Sequence, residues 1–131
     1  MVYNLFISHS WSYFDEYQRL CNLLNDRPYF EYRNYSVPFN DPIHTNGTDR
    51  QLREAIENKI RPTSVVLILA GVYSTYSKWI NKEVEIAKNL NKKIIAIEPW
   101  GSERTSFFVK VNADEIVGWN TESIVRAIRG S

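Results

Sequence analysis

Short apolar runs alternate with helical patterns along the whole chain. Residues 3–8 read YNLFIS, a short run of β type. Ser12 then opens a pattern at helical spacing, with Asp15 as a capping-box partner and Tyr13, Tyr17, Leu20 and Leu24 as its apolar face. Arg27-Pro28 ends it. Residues 29–35, YFEYRNY, are rich in aromatics that favour strands. Residues 36–47, SVPFNDPIHTNG, form a loop built on Pro38, Pro42, Asn46 and Gly47, and a loop of that length in a compact domain is often functional. Thr48 and Gln51 make a second capping box. Leu52, Ala55, Ile56 and Ile60 are the buried stripe of the helix it starts, and Pro62 closes that helix.

Residues 64–70, SVVLILA, are apolar without interruption, the pattern of a strand covered on both faces in a parallel sheet. A turn over 71–77 leads to a helix over 78–90 and a second fully apolar strand, KIIAI, over 93–97, ended by Pro99 and Gly101. A long loop follows. The chain closes with a short strand over 115–119 and a helix that Thr121 caps, carrying Ile124, Val125 and Ile128. The order is βαβαβαβ, a loop, then βα. It predicts an α/β fold: a flavodoxin-like three-layer sandwich whose five-stranded parallel sheet runs 2-1-3-4-5 with helices on both faces. No repeat, low-complexity tract or boundary divides residues 1–131, so one domain is expected.

Composition narrows the function classes. A hydrophobic fraction of 44% with 24% charged residues excludes disorder as the default. No apolar run approaches the ~20 residues that span a membrane. The first residues lack a secretory pattern, so a cytoplasmic location is expected. Net charge is +1, which offers no long-range field to gather nucleic acid or anionic lipid. Cys21 stands alone, which excludes an internal disulfide and a thiolate zinc cluster. His9 and His44 have no carboxylate or cysteine at ligand spacing, so no metal is expected.

In open parallel sheets, ligands sit beyond the carboxyl ends of the strands. Those ends carry residues 8–11 (SHSW), 35–38 (YSVP), 71–73 (GVY) and 98–101 (EPWG). Aromatics recur there, which suits a planar ligand. The first turn has no glycine-rich pyrophosphate loop, no Walker loop is present, and Ala70 or Gly71 stands where a phosphate receiver needs aspartate. A flavin or receiver role is therefore disfavoured.

One side chain breaks its helical pattern. On the helix over 78–90, Trp79, Ile80, Val84, Ile86, Ala87 and Leu90 share one arc, and Lys78, Asn81, Lys82, Glu85, Lys88 and Asn89 share the other. Glu83 lies on the apolar arc, one turn after Trp79. A carboxylate there is either paired with an arginine or a backbone donor, or extended to the helix end, or exposed to a ligand cleft as a perturbed group.

These residues resemble a known family. FISHSW, from Phe6 to Trp11, resembles the FISH/FISY box of TIR domains, and Ser77, Trp79 and Glu83 resemble the S-x-W-x-x-x-E motif that carries the TIR catalytic glutamate. YSVP from Tyr35, DPIHTNGTD from Asp41, SKWINKE from Ser77 and EIVGWN from Glu115 resemble the TIR-like proteins of the bacterial Thoeris antiphage system, the ThsB group. The likeness covers essentially the whole chain. It implies a phage-triggered enzyme that cleaves the nicotinamide–ribose bond of NAD and releases a cyclic ADP-ribose isomer, which activates a separate effector. NAD is then a substrate and no further cofactor is implied. The family also implies self-association on activation. Carried onto this chain, Glu83 is catalytic, Trp79 shapes the pocket wall, and Ser8, His9, Ser10, Trp11 and Ser77 line the cleft with Pro38 and Asn46 from the 36–47 loop. Many TIR domains carry Cys after the motif Trp, where this chain has Ile80, and His9-Ser10-Trp11 replaces the usual arginine-rich tract. The competing reading is a non-catalytic scaffold that assembles through the 36–47 loop.

Overall fold

The computed structural model describes residues 2–8, 14–35, 49–69, 78–98 and 107–130. In chain order the elements are β1 (Val2–Ser8), α1 (Phe14–Asn25), β2 (Glu31–Asn34), α2 (Asp49–Ile60), β3 (Val65–Leu69), α3 (Lys78–Asn89), β4 (Lys93–Glu98), α4 (Phe107–Asn112), β5 (Glu115–Gly118) and α5 (Thr121–Arg129). The five strands form one sheet in the order β2-β1-β3-β4-β5, and every pairing is parallel. The strand order is the expected one.

The apolar runs explain the layering. β3 is central, between β1 and β4, and all five of its residues are buried. Alternation sends Val65, Leu67 and Leu69 to one face and Val66 and Ile68 to the other. The first face packs on α1 through Leu20, Cys21 and Leu24, and on α5 through Ile124, Val125, Ala127 and Ile128. The second packs on α2 through Ile56 and Ile60, on α3 through Ile80, Val84, Ile86 and Ala87, and on α4 through Val109. β1 follows the same rule: Leu5 and Ile7 enter the first layer and Phe6 the second. Ser8, two residues beyond Phe6, therefore faces the second layer.

Three expectations need correction. The stretch before β5 is not all loop, because it contains α4. That helix has six residues, FFVKVN, and buries Val109 while Phe107 and Val111 stay exposed. It is too short for a helical period to register, and its valines and aromatics read locally as strand. The cap of α5 is Asn120 rather than Thr121. Asn120 has extended backbone (φ −146°, ψ 125°), and its Oδ1 accepts the backbone N–H of Ser123 at 3.1 Å, so Thr121 is the first helical residue. β2 is shorter than the aromatic run around it, since Tyr29 takes a left-handed backbone (φ 60°) that a strand does not admit. The starts expected at Ser12 and Thr48 lie outside the described residues. Replacing Asn120 by Ala should cost about 1 kcal/mol, read as a fall of a few degrees in Tm. An unchanged Tm would mean the cap contributes nothing.

Candidate active site

Glu83 sits in the second turn of α3, on the face that packs against the sheet. Its neighbours along that face, Ile80, Val84 and Ala87, are fully buried, and Glu83 itself is 4% exposed. The carboxylate is thus carried into the second core layer by the same helical period that buries the isoleucines. Ser8 ends β1, opposite Ile68 of β3, and is 0% exposed. Because α3 follows β3, the early turns of α3 and the end of β1 lie together at the carboxyl side of the sheet. Ser8 and Glu83 meet there.

The electrostatics of this pair are unusual. Burial pushes the Glu83 carboxyl up to about 8, against an ordinary value of 4.5, and the Ser8 hydroxyl beside it pulls in the opposite direction by favouring the anion. That pull stops short of a satisfied contact. Ser8 Oγ and Glu83 Oε2 are both buried without a hydrogen-bond partner among the described residues. An unsatisfied buried polar group costs about 1–3 kcal/mol. Of the open alternatives for Glu83, pairing with an arginine is not observed among the described residues: on the facing helix, Arg50 is bridged to Glu54 at 3.3 Å, and Arg53 to Glu57 at 3.3 Å and to Glu85 at 3.0 Å. Extension to solvent is excluded by the burial. A carboxyl with an unsatisfied oxygen inside an apolar layer, at the ligand side of an α/β sheet, is the arrangement expected of a group kept for chemistry.

The other anticipated residues fall differently. His9, Ser10, Trp11, Pro38, Asn46 and Ser77 lie outside the described residues, as does the 36–47 loop. Trp79 is placed on α3 by its backbone, one turn before Glu83, and its side chain lies outside the described residues. Glu98 was not singled out as a site residue, yet it ends β4 on the same sheet face as Ser8. It follows Ile94 and Ala96 at strand spacing, both of which enter the second layer, and it is half-buried. Strand alternation in KIIAIE carries that signal, but the run is apolar on both faces, so its facing becomes visible only with the sheet assembled. Cys21 is a small core residue: it is buried, and burial raises its thiol.

A surface hollow of about 550 Å³ lies at the opposite, amino end of the strands, lined by Lys88, Asn91, Lys92, Lys93, Asp114 and Gly130. Two of its three lysines are engaged. Lys92 Nζ donates to Arg61 O at 3.0 Å, and Lys93 Nζ donates to Ala127 O at 2.9 Å. Their ammonium groups sit at the carboxyl ends of α2 and α5, where positive charge offsets the helix dipole. Among the described residues no cluster of His, Cys, Asp and Glu could hold a metal ion, and no helix is long and apolar enough to cross a membrane.

Comparison with known proteins decides the family. Residues 6–104 match the family described as Thoeris protein ThsB, TIR-like domain. The chain belongs to the ThsB TIR-like family. The match includes both Ser8 and Glu83, and it makes the chain a TIR-like protein of antiphage defence, a system in which such proteins work with a partner effector. No curated protein matches the chain. Solved structures share its fold. A conserved protein from Enterococcus faecalis V583 superposes with a TM-score of 0.65 at 10% identity, covering 99% of each chain. The CMP N-glycosidase BcmB of Clostridium botulinum gives 0.56 at 12% identity, over 96% of this chain and 98% of its own. The S. aureus MnaA–UDP structure gives 0.58 at 12% identity, over 100% of this chain and 41% of its own. At these identities the likeness is one of fold. The family match, by contrast, is one of sequence, and ThsB-like membership stands on it.

Proposed function

We propose that this ThsB-like protein cleaves the nicotinamide–ribose bond of NAD at Glu83 and releases a cyclic ADP-ribose isomer that signals to a separate effector. The observation that carries the reading is the Glu83 carboxyl, buried, unpaired by any arginine among the described residues and set at the ligand side of the sheet. The chemistry suits a lone carboxylate. When the bond between the ribose C1′ and the pyridinium nitrogen breaks, the nitrogen keeps the electron pair and nicotinamide leaves neutral. No acid has to protonate it. The ribose becomes oxocarbenium-like, as in glycoside hydrolysis, and an anion close by stabilises the growing positive charge most where water is excluded. An adenosine-side nitrogen or hydroxyl then bonds to C1′, giving up a proton where it carries one. Water must be kept out until it does. Trp11, Trp79 and Trp100 are the indoles proposed to stack the nicotinamide or adenine.

Burial keeps Glu83 protonated near neutrality in the free protein. The reaction needs the anion, and the cationic nicotinamide ribose favours it. The pH profile of kcat/KM, which reports the free enzyme, should therefore climb about tenfold per unit on its acid side and level off near pH 8. The test is nicotinamide release from NAD, with and without lysate from phage-infected cells. Release with that acid limb supports the proposal. A protein that releases none in either condition is a binding module.

A further inference from the structure

We propose that Ser8 is a positioning residue that acts through Glu83: its hydroxyl, without a hydrogen-bond partner among the described residues while the carboxyl is neutral, is the internal donor that turns to the buried carboxylate as it ionises. The inference rests on the NAD reading only for its consequence in turnover, because the coupling itself belongs to the free protein. Ser8 and Glu83 are brought together by two independent periods. The strand alternation of β1 sends Phe6 and Ser8 into the second layer, and the helical period of α3 sends Ile80, Glu83 and Ala87 into it. Around them that layer is aliphatic and aromatic: Phe6, Val66, Ile68, Ile80, Val84 and Ile94. Within it each leaves an oxygen open, Ser8 Oγ and Glu83 Oε2. A serine ending a strand that otherwise buries Leu5, Phe6 and Ile7 serves packing poorly.

Among the described residues, none of the charged groups on the elements packed around this layer acts on the Glu83 carboxyl. Arg53 and Glu57 of α2 bridge to one another, and Arg53 also holds Glu85 of α3. Lys82 and Lys88 lie on α3 itself, Lys110 on α4, and Glu98 at the end of β4. Burial and Ser8 are the two influences on Glu83, and they oppose each other. Removing the hydroxyl leaves burial alone. Once it bonds to the ionised carboxylate, the hydroxyl also bears on geometry, since a carboxylate held by one donor presents its second oxygen in a fixed direction to an arriving ribose.

The experiment titrates Glu83 directly, by the ¹³C shift of its side-chain carboxyl in the labelled, substrate-free protein, with the signal assigned by its loss in Glu83→Gln. In Ser8→Ala the midpoint should rise by about one pH unit, the worth of a hydrogen bond to a charged group. Ser8→Thr, which keeps the hydroxyl, should restore it. Ser8→Cys, close in size but a weaker donor, should fall between and serves if the alanine protein does not fold. The acid limb of kcat/KM should move by the same amount while its high-pH plateau changes less. A midpoint that does not move in Ser8→Ala or Ser8→Cys overturns the proposal, even if NAD turnover depends on Glu83. A midpoint that moves in a protein that never releases nicotinamide upholds the Ser8–Glu83 coupling and removes the NAD reading instead. A purely structural Ser8 would lower Tm and leave the midpoint in place.

Discussion

Glu83→Gln protein should release nicotinamide from NAD at least about a thousandfold more slowly than the wild type, with the loss in kcat rather than KM. The substitution keeps size and shape and removes only the charge. Ground-state binding of NAD is spread over the cleft, so affinity should change little. The transition state is different, because in the proposed reaction positive charge develops on the ribose beside residue 83, and a neutral amide stabilises it far less than a carboxylate in a water-excluded layer. Glu83→Asp should lie between, since the charge remains but is withdrawn by one methylene. The assay is nicotinamide release under saturating NAD, at a pH above 8 where the wild-type carboxyl is ionised. Full turnover by Glu83→Gln would leave the proposed reaction without its agent.

The same substitution should stabilise the protein, and by an amount that grows with pH. In the unfolded chain the Glu83 carboxyl ionises near 4.5, and in the folded protein near 8. Between those values the folded state holds a proton that the unfolded state has lost. Folding stability from this group is therefore greatest below 4.5 and declines as pH rises, by about 1.4 kcal/mol per unit, until the folded carboxyl ionises near 8. Glutamine has no such dependence. The Tm advantage of Glu83→Gln over wild type should be near zero at pH 5 and exceed about 5 °C at pH 8. A flat difference across that range would mean that the carboxyl is not desolvated. A variant that unfolds outright would make Glu83 a structural residue.

Sheet order was readable because β3 and β4 are apolar on both faces, and only a parallel sheet covered twice needs such strands. Glu83 was readable for a related reason: α3 has a clean apolar arc, so one acid on it stands out. What escaped notice lacked a period long enough to register. α4 spans six residues and buries one side chain, and the capping asparagine of α5 is followed by a threonine that satisfies the same local rule. The pairing of Ser8 with Glu83 needs two elements seventy-five positions apart to be superposed, which no local pattern supplies. Family resemblance named Ser8 as a cleft residue. That its hydroxyl and the Glu83 carboxyl are left open together follows only from the assembled layer.

The central claim is that Glu83 turns NAD into a signalling nucleotide. Its most direct measurement is mass-spectrometric analysis of nucleotides from phage-infected cells expressing either the wild-type chain or Glu83→Gln. Nicotinamide and a cyclic ADP-ribose isomer should rise after infection with the wild type, and at equal protein abundance the variant should show no such rise and no isomer. The same isomer in both, or in neither while defence persists, would contradict that claim.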